Sequence, residues 1–212
     1  MRKTLLLLLT TLAITSFAQE ANEDGLTFVG LQRDFAGTTL GYRKANIEGN
    51  GTDNKSLVIY LHGGSSCGTD NITQMKEPGI DSIANYLVSH QKSAVFVVPQ
   101  CPDRNKGWGG MAKNVKALLD FTAQTENVDI NMIYIFGGSM GGTGTWKMLS
   151  TYPNFFAAGM PCAANPKGMS AENVATTPVY NVRGVDDKSM NGEVRAIAED
   201  FISQLQHRGV ET

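Results

Sequence analysis

Residues 134–146 read YIFGGSMGGTGTW, with Ser139 held between glycines directly after a short apolar run. The run Met132–Phe136 (MIYIF) has the β-branched and aromatic content of a buried strand, and the stretch from Met140 onward (MGGTGTWKML) has helical spacing. Gly137, Ser139 and Gly141 satisfy G-x-S-x-G at the strand-to-helix junction where a nucleophile elbow has to lie. The turn strains its central residue and leaves no room for neighbouring side chains, a condition that Gly137, Gly138, Gly141 and Gly142 meet. A phosphate-cradling loop would need G-x-x-x-x-G-K-[ST], and the nearby Lys147 is out of place for it.

Outward from this junction, strand and helix patterns take turns. Strands are expected near Phe28–Phe35, Thr39–Ile47, Leu57–Leu61 (LVIYL), residues 94–99 (AVFVVP), 132–136, 156–160 and 178–182 (PVYNV). Helices are expected over Ile72–Ser89, Met111–Gln124, Met140–Ser150 and Gly192–Gln206. Such alternation predicts an α/β fold with a mainly parallel sheet covered by helices on both faces. At 212 residues the chain suits one domain.

The N-terminal MRKTLLLLLTTLAITSFAQE has a positive start, an apolar stretch from Leu5 to about Ile14, and small residues Ser16 and Ala18. It reads as a signal peptide over residues 1–18, cleaved after Ala18, leaving 19–212 as the mature domain in a secreted or periplasmic setting. The apolar run is shorter than the roughly 20 residues of a spanning helix, so no stable membrane insertion is expected after cleavage. The whole chain has 18 basic and 20 acidic residues; losing Arg2 and Lys3 leaves 16 against 20, a net charge of −4. That balance gives no reason to expect a nucleic-acid partner. Three cysteines, Cys67, Cys101 and Cys162, allow at most one internal disulfide, with the pairing open, and their spacing suggests no metal. No cofactor is called for.

A serine nucleophile needs two oxyanion donors, an acid and a base. The amide of Met140 follows the serine, and Gly64 in LHGGSSCGTDN, after the Leu57–Leu61 run, is the second candidate. His62 in the same loop reads as a buried brace. Asp186 and Asp187 follow PVYNV, in the order serine then acid.

Together LHGGSSCGTDN, VVPQCP followed by Trp108, DINMIYIFGGSMGGTGTW, YPNFFAAGMP and PVYNVRGVDD resemble the secreted phospholipase/carboxylesterase branch of the α/β hydrolases. Members of this branch are often labelled predicted peptidases and neighbour feruloyl and acetyl-xylan esterases. The likeness runs over about residues 39–212. It implies Ser139 as nucleophile, Gly64 and Met140 as oxyanion donors, Asp187 as the acid, and Gln100 and Trp108 near the acyl or leaving-group pocket. Where the family has His-Gly before the acid, this chain has Arg183-Gly184.

The base is the missing member. His207 alone follows Asp187, and it sits at the polar end of a helix whose apolar face is marked by Ile197, Phe201 and Leu205; His90 also reads as a helix-end residue. The resemblance places one more strand and the catalytic histidine roughly ten residues past Thr212. The domain is therefore expected to be C-terminally incomplete, without its last strand and helix, with PVYNV left as an apolar edge. Three functions are in play: a truncated serine carboxylesterase acting on small-molecule or polysaccharide-linked esters, an inactive ester- or glycan-binding relative, and a serine peptidase.

Overall fold

The computed structural model describes residues 17–21, 26–51 and 54–212. The apolar core of the expected signal peptide lies outside the described residues. Strand β1 (Phe17–Ala21) runs across the expected Ala18–Gln19 cleavage point and pairs antiparallel with β2 (Thr27–Phe35).

β2 and β3 (Thr38–Ile47) form a hairpin whose two-residue turn, Ala36 and Gly37, has φ of 51° and 81°. Two positive φ values match the right-handed twist of the strands, and Asp34 Oδ1 accepts the Gly37 N–H at 3.0 Å to hold the turn. β3 lies antiparallel to β5 (Ala94–Pro99), and from there β4 (Ser56–Leu61), β6 (Ile133–Gly138) and β7 (Ala158–Cys162) continue in parallel. The seven strands are ordered β1-β2-β3-β5-β4-β6-β7.

Every residue of β4 and β5 is buried, as continuous apolar runs in a doubly covered sheet should be. Their side chains alternate between two cores. Val58, Tyr60, Phe96 and Val98 meet Ile80, Ala84 and Leu87 of α1 (Pro78–Ser89). Leu57, Ile59, Leu61, Val95 and Val97 face the larger core. That core is completed by α2 (Gly107–Gly110), α3 (Ala112–Thr125), α4 (Met140–Thr151), α5 (Ala171–Val174) and α6 (Glu193–Gln206). No described helix is long and apolar enough to cross a membrane.

Three local expectations shift. The helix expected over Ile72–Ser89 divides into a 3-10 turn, Thr73–Lys76, and α1, because Pro78 drives Glu77 to an extended φ, ψ of −76°, 120°. PVYNV runs alongside β7 but pairs only through two isolated bridges, Gly159 to Val179 and Cys162 to Val182. Pro178 has no amide to donate, and Tyr180 is 67% exposed, so the segment forms an edge and not a full strand. On α6 the buried stripe is Ala198, Phe201 and Leu205, with Ala198 taking the place expected for Ile197.

Candidate active site

β4 and β6 are adjacent and parallel, with Leu61 level with Gly137. The loops that leave their carboxyl ends therefore start side by side at the point where strand order reverses, where ligands bind in open α/β sheets. One loop carries His62-Gly63-Gly64 and the other Gly138-Ser139.

Ser139 caps α4 with φ 55° and ψ −117°, a conformation that an L side chain adopts only under constraint. The constraint is visible: its N–H donates to the Cys162 carbonyl at 2.9 Å, and its own carbonyl accepts from Thr143 N–H at 3.0 Å. A Cβ on Gly141 would stand 1.8 Å from the Leu61 carbonyl oxygen, and one on Gly137 would stand 2.4 Å from the Gly141 carbonyl oxygen. The turn can thus close only with glycine at both positions, and it leaves Ser139 exposed above the helix start.

Ser139, Met140 and Gly64 line one cleft of about 620 Å³ together with Gly63, Ser65, Glu77, Arg104 and Gly138. Met140 is the first residue of α4 and Gly64 the first of the 3-10 turn Gly64–Ser66. First-turn amides have no acceptor within their own helix, which leaves both as candidate donors to an anion in the cleft. A larger hollow of about 790 Å³ lies between α1 and the β4 and β6 side chains. Its serine hydroxyls serve ordinary backbone contacts, Ser56 to the Ser93 carbonyl and Ser82 to the Pro78 carbonyl. The strained serine makes the smaller cleft the candidate site.

Glu77 and Arg104 of the cleft carry no motif in the sequence. Glu77 Oε1 accepts from Gly63 N–H at 3.1 Å and from the Ser66 hydroxyl at 2.7 Å, fastening the glycine loop from both ends. Its only signal is a position before Pro78 at a helix start. Replacing Glu77 with alanine leaves both donors unmatched and should cost about 2 kcal/mol, read as a fall of several degrees in thermal midpoint; glutamine, which keeps the acceptor oxygen, should recover most of it. Arg104 Nε lies 3.2 Å from where a Gly64 Cβ would stand, placing a cation over the loop.

Gln100 and Trp108, expected near the acyl or leaving-group pocket, do not line this cleft. Both are buried beneath it. Gln100 Oε1 accepts from Asn71 N–H at 2.6 Å, and its amide nitrogen donates to Asp70 Oδ1 at 2.8 Å and the Ser66 carbonyl at 3.2 Å. The Trp108 indole N–H donates to the His62 carbonyl at 2.9 Å. These side chains brace the glycine loop from below, since polar groups buried at a strand end must be satisfied by the loop that covers them.

His62 is fully buried. Its Nε2 accepts the Cys101 N–H at 2.9 Å, which leaves Nδ1 to donate to the Gly63 carbonyl at 2.7 Å, and its ring meets Trp108 edge-on at 5.0 Å. Burial lowers its pKa, outweighing the Gly63 hydrogen bond and the Glu77 charge. The folded state thus refuses a proton that the unfolded chain takes up near pH 6.5, so this part of the stability is complete above that pH and lost as pH falls below it. The thermal midpoint should therefore drop between pH 7 and 5, with a shallower slope in His62→Gln; equal slopes would assign the loss to other groups.

Asp187 caps the 3-10 turn Lys188–Met190 and accepts from Ser189 N–H at 2.9 Å and the Ser189 hydroxyl at 2.6 Å. Those bonds, with Arg195 nearby, hold its carboxyl below the usual range. It is half-buried and is not among the cleft residues. His207 Nδ1 lies 2.7 Å from the Ser203 carbonyl at the end of α6, and His90 Nδ1 lies 2.9 Å from the Tyr86 carbonyl at the end of α1. None of the three histidines stands in the cleft. No cluster of three or more His, Cys, Asp or Glu among the described residues could hold a metal ion.

No profile of a known protein family matches the chain. Acetylxylan esterase A of Emericella nidulans is 38% identical over 60 residues, 28% of this chain and 20% of that protein. Feruloyl esterase B of Neurospora crassa is 24% identical over 135 residues, 58% of this chain and 44% of that protein. The matches thus span less than half the length of these relatives. Among solved structures, a thermostable esterase superposes with a TM-score of 0.64 at 24% identity, over 93% of this chain and 52% of the other. The feruloyl esterase module of Clostridium thermocellum, solved as an S954A mutant with sinapinate, gives 0.63 at 13% identity, over 92% and 81%.

Proposed function

We propose that this chain, which has the α/β-hydrolase fold, is the body of an exported serine carboxylesterase that cleaves esters through an acyl-enzyme on Ser139. The observation that carries this reading is the strained backbone of Ser139, φ 55°, directly beside the Gly64 loop in one open cleft. Strain at a non-glycine residue persists only where the surroundings enforce it, and here they aim a hydroxyl out of the sheet.

In this mechanism the Ser139 Oγ attacks the acyl carbon, the carbonyl oxygen takes up negative charge facing the amides of Met140 and Gly64, and the alcohol leaves as the carbonyl re-forms. Water then repeats the cycle on the acyl-enzyme. Proton removal from Ser139 requires a base, and His62, Nε2 committed to the Cys101 amide, has no lone pair to offer. The reaction therefore needs a base that the described residues do not place in the cleft, with Asp187 turning from Ser189 to orient it. By likeness to the acetylxylan and feruloyl esterases, the substrates are small or polysaccharide-linked acyl esters. The open cleft, with Ser139 exposed in it, is compatible with an ester on a bulky polymer.

The test compares 4-nitrophenyl acetate and feruloylated oligosaccharide with an aminoacyl 4-nitroanilide. Esters should react above the buffer background and the anilide should not. A rate on the anilide alone would make the chain a peptidase, and ligand binding without any Ser139-dependent acylation would make it a binding relative.

A further inference from the structure

The glycine loop and the end of β5 bring two of the three cysteines together. β4 and β5 are parallel neighbours with Ile59 level with Val97, so the segments after Leu61 and after Pro99 leave the sheet side by side. The 3-10 turn Gly64–Ser66 then ends on Cys67, and the next amide, Gly68 N–H, donates to the Cys101 carbonyl at 3.0 Å. Cys101 in turn is anchored by its own N–H on His62 Nε2. With the two backbones tied at this point, Cys67 packs against the core that holds Cys101, and both are free thiols in this structure. The Cys67 sulfur also lies 4.0 Å from the Met140 sulfur, at the oxyanion side of the cleft.

Cys162 is placed elsewhere. It ends β7, its thiol bonds within its own strand to the Met160 carbonyl, and its charge would be felt by Tyr60, whose side chain belongs to the α1 face. Cys101 belongs to the opposite core, against which Cys67 packs. The sheet separates Cys162 from the other two.

We infer that Cys67 and Cys101 form a disulfide that fastens the glycine loop to the end of β5, leaving Cys162 as the free thiol. The cross-link closes a loop running from the glycine turn through α1 and β5, and it fixes the segment that carries the Gly64 amide. In chemical balance, the Cys67 thiolate attacks a small-molecule disulfide such as oxidised glutathione and releases one glutathione thiolate. Cys101, as thiolate, then attacks the Cys67 sulfur of the mixed disulfide and releases the second. Two protein S–H bonds are lost to one S–S bond, two protons pass to solvent and glutathione, and glutathione disulfide is reduced to two thiols. Burial pushes the Cys101 thiol up to about 12, so thiolate is scarce once the fold has closed. The bond therefore forms during folding, before Cys101 is covered.

The experiment is refolding of the chain from denaturant in a glutathione redox buffer, followed by peptide mapping without reductant and thiol titration in denaturant. The expected result is one cross-linked peptide pair, Cys67 with Cys101, and one titratable thiol that alkylation maps to Cys162. Cys162→Ala should leave the cross-link intact. Reductant should lower the thermal midpoint of the oxidised chain by roughly 5–10 °C, and should have no such effect on Cys67→Ser, which removes the half-buried partner and spares the buried one. Three titratable thiols, or a cross-link that includes Cys162, would overturn the inference. None of these readouts depends on esterase activity, so their outcome stands apart from the proposed reaction.

Discussion

Ser139→Ala is expected to abolish covalent labelling of the chain by a fluorophosphonate probe. In a complete triad the nucleophile and the histidine act as a unit, and removing either costs on the order of 10⁶ in turnover. In the 212-residue chain the three histidines are committed to Cys101, to the end of α1 and to the end of α6. Labelling of the wild-type chain should accordingly be slow yet confined to one tryptic peptide, the one carrying Ser139. On the proposed reading, the same chain supplied with a general base at the cleft should label and turn over faster by up to about 10⁶, and Ser139→Ala should erase that gain. Labelling that survives the substitution would place the nucleophile elsewhere.

Gly141→Ala has the largest expected effect on folding. The added methyl group would meet the Leu61 carbonyl oxygen at 1.8 Å, with the His62 carbonyl oxygen at 2.8 Å. Both belong to the backbone at the end of β4, a strand buried along its length and paired on each side, so neither can retreat. The elbow would have to open, carrying Ser139 off its strained position and α4 off the core that Trp146, Met148 and Leu149 fill. A loss of more than about 4 kcal/mol is expected, read as a thermal midpoint lower by about 10 °C or more, or as failure to recover folded protein. A variant that melts near the wild type would show that the elbow is slacker than its contacts indicate.

The two glycine positions illustrate how much of the site was legible beforehand. G-x-S-x-G at a strand-to-helix junction is a local pattern, and the elbow is a local structure, so residue types and spacing sufficed. The place of Gly64 in the loop after β4, lining the cleft, follows in the same way, because it depends on chain position after a strand more than on what surrounds it. Gln100 and Trp108 went the other way. Their position after β5 and in α2 was clear, but whether a side chain there points into the cleft or under it depends on what β4 and its loop offer it. Here the loop presents the Ser66 and His62 carbonyls, and both side chains turn toward them. Glu77 went unnoticed for a related reason: its partners, Gly63 and Ser66, are brought to it only when the 3-10 turn folds back over α1.

From the sequence by itself come the alternation of strands and helices, the hairpin before it and the elbow, all of which rest on periodicity and short-range backbone constraint. Tertiary structure alone decides which strands are neighbours, and therefore that the loops after β4 and β6 open into one cleft. It also decides that His62 is a neutral brace and that Cys67 meets Cys101 with the sheet between them and Cys162. Those are relations between residues distant in the chain, governed by hydrogen-bond satisfaction and packing once the sheet order is set, and no local pattern encodes them.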